Sequence, residues 1–296
     1  MPSEVALSVI IPTYNREGFI RKTIQSVLDQ SFVNFEIIVV DDGSTDNTEE
    51  ILRSIDDERL TYIRKTNEER AVARNVGVKR ARGMYVTFLD SDDLLYREHL
   101  LEAWKTINST GAAFILLGYE IRNARTNIAR KVILPVGDLN RKLIEGNFLA
   151  CQGVFLRRDV ALENPFNEDR GLSALEDWEL WLRIAPKYRI QYSPQVTSVV
   201  IDHDERSVLQ ADPVKLIERV NLLIKYVLGN RVVTAYYRRD LSKFKSSCYT
   251  YIALHLALTK RNRGQAVRYL LKGVAESPWA LTKRRWLAII KHLLIP

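Results

Sequence analysis

Four short polar clusters, each following or opening an apolar segment, carry the side chains able to do chemistry. The densest is Asp90-Ser91-Asp92-Asp93, directly after the apolar run Tyr85–Leu89. Three carboxylates within four residues repel one another when buried without a counter-charge, and a divalent cation is the simplest compensation. Oxygen ligation with few protein donors suits Mg²⁺ or Mn²⁺ and leaves coordination positions for phosphate oxygens. The competing reading is a solvated turn whose aspartates cap the next helix.

Val40-Asp41-Asp42-Gly43-Ser44-Thr45-Asp46 is the second cluster. Asp42-Gly43 makes a tight turn, and Ser44 or Asp46 can cap a following helix. An aspartate here, being an acceptor-only group, can also take the ring N–H or ribose hydroxyls of a nucleotide. Third comes Pro12-Thr13-Tyr14-Asn15, whose tyrosine can stack on a base or simply lie at the surface. No G-x-G-x-x-G and no G-x-x-x-x-G-K-[ST] follows that run, which argues against dinucleotide and P-loop chemistry. The fourth cluster is Glu176-Asp177-Trp178-Glu179-Leu180-Trp181. Helical spacing sends Trp178, Trp181 and Leu182 to the core and turns Glu176 or Asp177 toward a cleft, where a carboxylate can act as general base. Helix-dipole preference for acidic first turns explains the same pattern without catalysis.

These clusters need a scaffold. Leu7–Ile11 and Phe35–Val40 are near-continuous apolar runs, and Leu60–Arg64 and Tyr85–Leu89 are shorter ones; such runs read as strands of a parallel sheet buried on both faces. Between them the spacing predicts a helix capped by Asn15 with Phe19, Ile20, Ile24, Val27 and Leu28 on one face, then helices at Thr45–Ile55 and Arg70–Arg82, the latter stopped by Gly83. Strand and helix in alternation point to a doubly wound α/β sheet, whose ligands sit beyond the carboxyl ends of the strands. That rule selects Pro12–Asn15, Asp41–Asp46 and Asp90–Asp93. Further on, the pattern predicts a helix at Arg97–Asn108, strands at Ala112–Gly118, Cys151–Leu156 and Val196–Ile201, a helix at Leu175–Ala185 and a polar loop at Arg122–Lys131. Helices are expected around 213–228, 242–259, 264–275 and 279–293, the first opened by Asp212-Pro213.

The charge is divided along the chain. The net +8 comprises 18 lysines and arginines against four acidic residues in 206–296, and 26 against 32 before them. A mildly acidic domain, 1–205, is therefore expected to carry a basic helical extension, 206–296, that meets something anionic. Cys151 and Cys248 lie far apart, which suits a reducing compartment and neither a disulfide framework nor a thiolate zinc site. No apolar run approaches the roughly 18 residues that span a bilayer, and MPSEVALSVIIPTYN lacks a basic leader, so no signal peptide is expected.

Taken together, SVIIPTYNRE, VVDDGSTDNT, ERAVARNVGVKRARGMYVTFLDSDD and LEDWELWLR resemble the successive motifs of the family 2 glycosyltransferases, across residues 5–205. The resemblance implies the GT-A fold, a Rossmann-like α/β architecture with a mostly parallel sheet flanked by helices. It also implies inverting transfer of a sugar from a nucleotide-diphosphate donor, usually a UDP-sugar, with Mn²⁺ or Mg²⁺. By the same resemblance Pro12, Thr13 and Tyr14 form the base-binding strand end, and one of Asp41 and Asp42 contacts uracil. Arg74, with Arg70 as its nearby substitute, faces the donor. Asp90-Ser91-Asp92 matches the D-x-D motif, Asp92 as direct metal ligand and Asp90 as ribose or metal contact. Asp177 matches the base, with Glu176 beside it. His203 lies where many members carry a His or Arg touching metal or diphosphate, although its surroundings, IDHDERS, depart from the family pattern.

The acceptor implied is a hydroxyl on a glycan or lipid-linked intermediate near the inner face of a bacterial membrane. Two other readings stand beside this one: a sugar transferase onto polyprenyl phosphate, and a non-catalytic nucleotide-sugar-binding module. In the extension, Trp279, Trp286, Leu287, Ile290, Leu293 and Leu294 alternate with Lys283, Arg284, Arg285 and Lys291. That mixture suits a helix lying in an anionic membrane interface, and equally a packing helix with a solvated charged face. The expected location is cytoplasmic, peripheral at the inner membrane face. Nucleic acid is not an expected partner.

Overall fold

Leu7–Thr13 and Phe35–Asp41 are buried along their whole lengths and pair in parallel as strands β1 and β2. The computed structural model describes residues 5–203, 212–259 and 262–294. Among the described residues seven further strands join the same sheet: β3 (Leu60–Arg64), β4 (Tyr85–Phe88), β5 (Leu94–Leu95), β6 (Phe114–Asn123), β7 (Ala129–Lys131), β8 (Val154–Arg157) and β9 (Ile190–Asp202). Their order is β3-β2-β1-β4-β8-β6-β9-β5, with β7 on β6. The β3-β2-β1-β4 half is parallel throughout, whereas β8 runs against both its neighbours and β9 returns parallel to β6. Thr13 lies opposite Asp41 in the register, so the carboxyl ends of β1, β2 and β4 form one edge.

Two units make up the chain. The strands β1–β9 belong to the first, which spans Met1–Leu134, Leu149–Arg170 and Lys187–Arg206; the second spans Pro135–Phe148, Gly171–Pro186 and Ser207–Pro296. In the first, the helix Ile20–Leu28 buries Ile20, Thr23, Ile24 and Val27 on one stripe, and the helix Arg70–Arg80 approaches β1 so closely that a Cβ on Gly77 would meet Ile10 Cγ2 at 2.3 Å. Two expectations about helix ends are corrected. Asn15 does not cap Ile20–Leu28; it adopts φ 49° and its side-chain oxygen accepts the N–H of Thr45 at 2.8 Å. Nor does Gly83 stop Arg70–Arg80, since Ala81 turns extended there (φ −61°, ψ 136°). Gly83 is needed for approach: a Cβ on it would meet the backbone nitrogen of Ser8 at 2.6 Å.

Later strands are longer than their apolar cores. β6 runs on to Asn123 and β9 begins at Ile190, and part of the polar stretch Arg122–Lys131 is strand β7, exposed at every residue. Residues Cys151–Gly153 form a 3₁₀ turn before β8.

Helices build the second unit. Asp212 caps Pro213–Gly229 by accepting the N–H of Val214, with proline in the first turn. After Asn230 caps the short Arg231–Tyr236, the helices Leu241–Leu258, Arg263–Glu276 and Arg284–Leu294 follow, the last preceded by a 3₁₀ turn at Pro278–Thr282. Leu241–Leu258 is the central element, burying Phe244, Cys248, Ile252, Ala253 and Leu256. The segment Leu139–Glu145 and the helix Glu176–Ile184 pack in the same unit: Trp178 Nε1 donates to Leu143 O at 2.8 Å, and Asn140 Nδ2 to Ala185 O at 2.8 Å. Among the described residues no helix is long and apolar enough to cross a membrane.

Candidate functional site

At the β1–β2 edge the loops are tied to each other before any ligand is considered. Asn15 N donates to Ser44 Oγ and Arg16 N to Thr48 Oγ1, both at 2.9 Å, and Glu17 N to Asp46 Oδ2 at 3.1 Å. Burial would raise the Asp46 carboxyl, but hydrogen bonds from Thr48 and Glu17 outweigh it and hold it below its ordinary range. Pro12 and Thr13 are buried, while Tyr14 projects with 44% of its surface exposed.

The two aspartates at the end of β2 are buried, and protein groups engage them both. Asp41 accepts Ser44 N at 2.8 Å on one oxygen and the Tyr62 hydroxyl at 2.9 Å on the other. Asp42 accepts Lys65 Nζ at 2.6 Å and Glu68 N at 2.9 Å on Oδ1, and Glu69 N at 2.8 Å on Oδ2. Three of its four acceptor positions are thus used. The segment it grips leads into Arg70–Arg80, the helix that carries Arg74.

Arg74 is 1% exposed and donates from Nη2 to Asp90 Oδ1 at 2.7 Å, with its guanidinium 5.1 Å from the Phe166 ring centroid. Arg70, four residues earlier, opens the same helix. Asn75 fixes the neighbouring chain, donating to Phe166 O at 2.9 Å and accepting Phe166 N at 2.8 Å. Within the acidic turn the roles divide. Asp93, 1% exposed, accepts the N–H of Ile201 at 2.8 Å and so ties the turn to β9, and Ser91, also buried, offers its carbonyl to the Thr23 hydroxyl at 2.9 Å.

Asp92 is half-buried. Its Oδ2 lies 3.1 Å from His203 Nε2 and 3.7 Å from Arg16 Nε. His203 follows β9, and its ring stacks on Phe19 at 4.7 Å between centroids. Among the described residues no group of three or more His, Cys, Asp or Glu forms a metal cage. A carboxylate oxygen and an imidazole nitrogen 3.1 Å apart nevertheless fit as two ligands of a Mg²⁺ or Mn²⁺ ion that fills its other positions with phosphate oxygens or water.

Asp177 and Glu176 belong to the second unit. Ala174, at φ 72°, turns the chain into the helix Glu176–Ile184, whose Trp178, Leu180, Trp181, Leu182 and Ile184 are buried. Glu176 is 3% exposed, so Asp177 is the accessible member of the pair. Asp177 accepts Asn147 Nδ2 at 2.9 Å and the N–H of Trp178 at 2.7 Å. Its charge also bears on Tyr251, whose phenol is raised chiefly by burial.

Sequence reasoning passed over Arg16, Phe19, Lys65 and Asn147. The first two follow directly on the selected stretch Pro12–Asn15, and Phe19 was read only as part of the helix stripe beside Ile20 and Ile24. Lys65 and Asn147 carried no signal, because their partners are distant in sequence.

The family model described as "Glycosyl transferase family 2" matches residues 8–164. An uncharacterized glycosyltransferase of Rickettsia conorii, RC0461, is 32% identical over 262 residues, 87% of this chain; the chain spans 41% of that relative's length. WfgD of Escherichia coli, a UDP-Glc:alpha-D-GlcNAc-diphosphoundecaprenol beta-1,3-glucosyltransferase, is 35% identical over 60% of this chain and 69% of its own. Among solved structures, TarS residues 1–349 of S. aureus in complex with UDP-GlcNAc superposes with a TM-score of 0.65 at 20% identity, covering 94% of this chain and 92% of that one. Its likeness is one of fold.

Proposed function

Because this chain belongs to glycosyl transferase family 2, we propose that it moves a sugar, with inversion, from a UDP-sugar to a hydroxyl on a glycan or lipid-linked acceptor. The observation that carries the reading is the meeting of Asp92 with His203 at 3.1 Å, in the same acidic turn as the Arg74–Asp90 pair. Carboxylate, imidazole and guanidinium together suit a diphosphate and its counter-ion. The sugar-lipid acceptor named for WfgD supports an acceptor of that class.

The roles follow from the chemistry of each group. Tyr14, exposed beyond buried Pro12 and Thr13, offers a ring face to the base. The one acceptor position left on Asp42 takes the ring N–H of uracil, while Asp41 shapes the loop by holding Ser44 and Tyr62. Asp90 and Ser91 line the ribose side of the turn, and Arg74 sets the orientation of Asp90. Mn²⁺ or Mg²⁺, held by Asp92 and His203, would supply positive charge to the diphosphate. Asp177 takes the acceptor hydroxyl's proton as its oxygen attacks the anomeric carbon opposite the leaving group. One displacement inverts the anomer and needs one base, unlike retaining hydrolysis, which uses a second carboxyl as nucleophile. Glu176 supports the helix start beside it.

Peripheral attachment to the inner membrane face belongs to the same proposal. Leu287 and Leu294 are exposed on the helix Arg284–Leu294, which also carries the exposed Lys291, a composition that favours an anionic interface.

Thermal unfolding in the presence of UDP-, GDP- and dTDP-sugars tests the reading, since a ligand of the native state raises the apparent Tm. UDP-sugars with Mn²⁺ are expected to raise it, and EDTA to remove the effect. No shift with any nucleotide-sugar, metal present, overturns it.

A further inference from the structure

A concave site lies wholly in the helical unit, apart from the donor, metal and base residues assigned above. Its volume is about 320 Å³, and it is lined by Glu145, Ser247, Thr250, Trp279, Ala280 and the run Lys283–Trp286. Three cations, Lys283, Arg284 and Arg285, thus face one carboxylate. That carboxylate is already committed: Glu145 accepts Lys142 Nζ at 2.9 Å and Lys283 Nζ at 3.0 Å. Burial pushes the Glu145 carboxyl up, but those two ammonium groups outweigh it and hold it below its ordinary range.

Arg285 is the informative residue. Its Nη1 donates to Ser247 O at 3.0 Å, to Ser247 Oγ at 3.1 Å and to Thr250 Oγ1 at 3.5 Å. Every one of those acceptors is neutral, and among the described residues no carboxylate pairs with it. Loss of water around the group lowers the guanidinium's pKa from its usual value, the direction expected where a charge lacks its counter-ion. Arg284–Trp286 also form the first turn of an 11-residue helix, whose N-terminal end carries partial positive charge. Trp279 and Trp286 supply apolar walls, with Lys283 Nζ 3.8 Å from the Trp279 ring centroid.

We propose that this cavity binds a phosphate ester, its phosphate on Arg285, Arg284 and Lys283 and its organic part against Trp279 and Trp286. A guanidinium supplies the paired N–H donors that phosphate oxygens accept, and a cavity of this size admits more than a bare anion. The proposal stands without the transfer reaction. The same chemistry is offered by a small soluble phosphate ester and by a phospholipid headgroup.

Tryptophan fluorescence of the full chain, titrated in EDTA with glycerol 3-phosphate and separately with phosphatidylglycerol vesicles, tests it. Saturable binding is expected, weakened about tenfold or more by Arg285→Gln and by the pair Lys283→Gln/Arg284→Gln. The second variant alters outlying side chains and keeps the test valid if the first fails to fold. Binding of glycerol 3-phosphate alone identifies a soluble ester; vesicle binding displaced by glycerol 3-phosphate identifies a headgroup. Either result supports the site. Absence of saturable binding by both probes, or binding that the folded variants leave intact, overturns it.

Discussion

Asp42 grips Glu69. The Asp42 Oδ2 accepts the Glu69 N–H at 2.8 Å, and Glu69 stands at φ 79°, ψ 161°, a region of backbone space occupied almost wholly by glycine. Two other donors, Lys65 Nζ and Glu68 N, converge on the same carboxylate. A buried aspartate in the strand-end motif therefore pays the cost of a strained entry into the helix that carries Arg74.

Substitutions at the two ends of this contact are expected to act in opposite directions. Asp42→Ala leaves three donors without their acceptor and should destabilise the fold by about 3 kcal/mol. Glu69→Gly relieves the unfavourable φ and should stabilise by about 1 kcal/mol, although glycine ordinarily weakens a chain by its greater unfolded freedom. Urea unfolding midpoints of both variants measure this. A Glu69→Gly protein less stable than its parent would show that the backbone there is unstrained.

Metal-dependent donor binding should depend on Asp92 and His203 together. Asp92→Ala and His203→Ala are each expected to abolish the Tm increase that a UDP-sugar gives with Mn²⁺, while Asp93→Asn, altering the residue tied to Ile201, should lower stability and leave the Mn²⁺-dependent increase in place. Retention of the full Mn²⁺-dependent shift in Asp92→Ala would remove this turn from the metal site.

Much of this was readable from the chain. The unbroken apolar runs of β1 and β2 betray burial on both faces, and the 3.6-residue spacing of Ile20, Ile24 and Val27 betrays a helix stripe. β7 left no trace because an exposed edge strand needs no alternation. The acidic clusters were visible as clusters, but their division of labour was not. Lys65 and Glu69 decide what Asp42 does, Ile201 decides Asp93, and His203 singles out Asp92; those partners lie from 23 to 111 residues away. Likewise the inclusion of 135–148 and 171–186 in the helical unit rests on bonds such as Trp178 to Leu143, which periodicity does not encode.

Stability should fall on mild acidification through His99. This imidazole is fully buried, its Nδ1 2.7 Å from Thr197 Oγ1, and burial brings its pKa from 6.5 down to about 4. Above pH about 6.5 the ring is neutral in both folded and unfolded chains. As the pH drops from there toward about 4, the unfolded chain takes a proton that the folded one refuses, so stability declines by at most about 1.4 kcal/mol per pH unit. Comparing urea midpoints near pH 7 and pH 5, His99→Gln should show a smaller loss than its parent. Equal losses would mean that His99 is protonated in the fold.

Asp177→Asn isolates the base. The amide matches the carboxylate in shape and can still face Asn147, which donates to Asp177 Oδ2 at 2.9 Å, yet it cannot accept a proton from an acceptor hydroxyl. Loss of a positioned general base costs about 10²- to 10⁴-fold, so kcat should fall by that factor. The Tm increase given by UDP-sugar and Mn²⁺ should persist, because no donor contact is assigned to this side chain. Glu176→Gln serves as the comparison: its carboxyl is buried, so its substitution is expected to lower stability before it lowers kcat. An Asp177→Asn protein that keeps most of its turnover would move proton abstraction to another group.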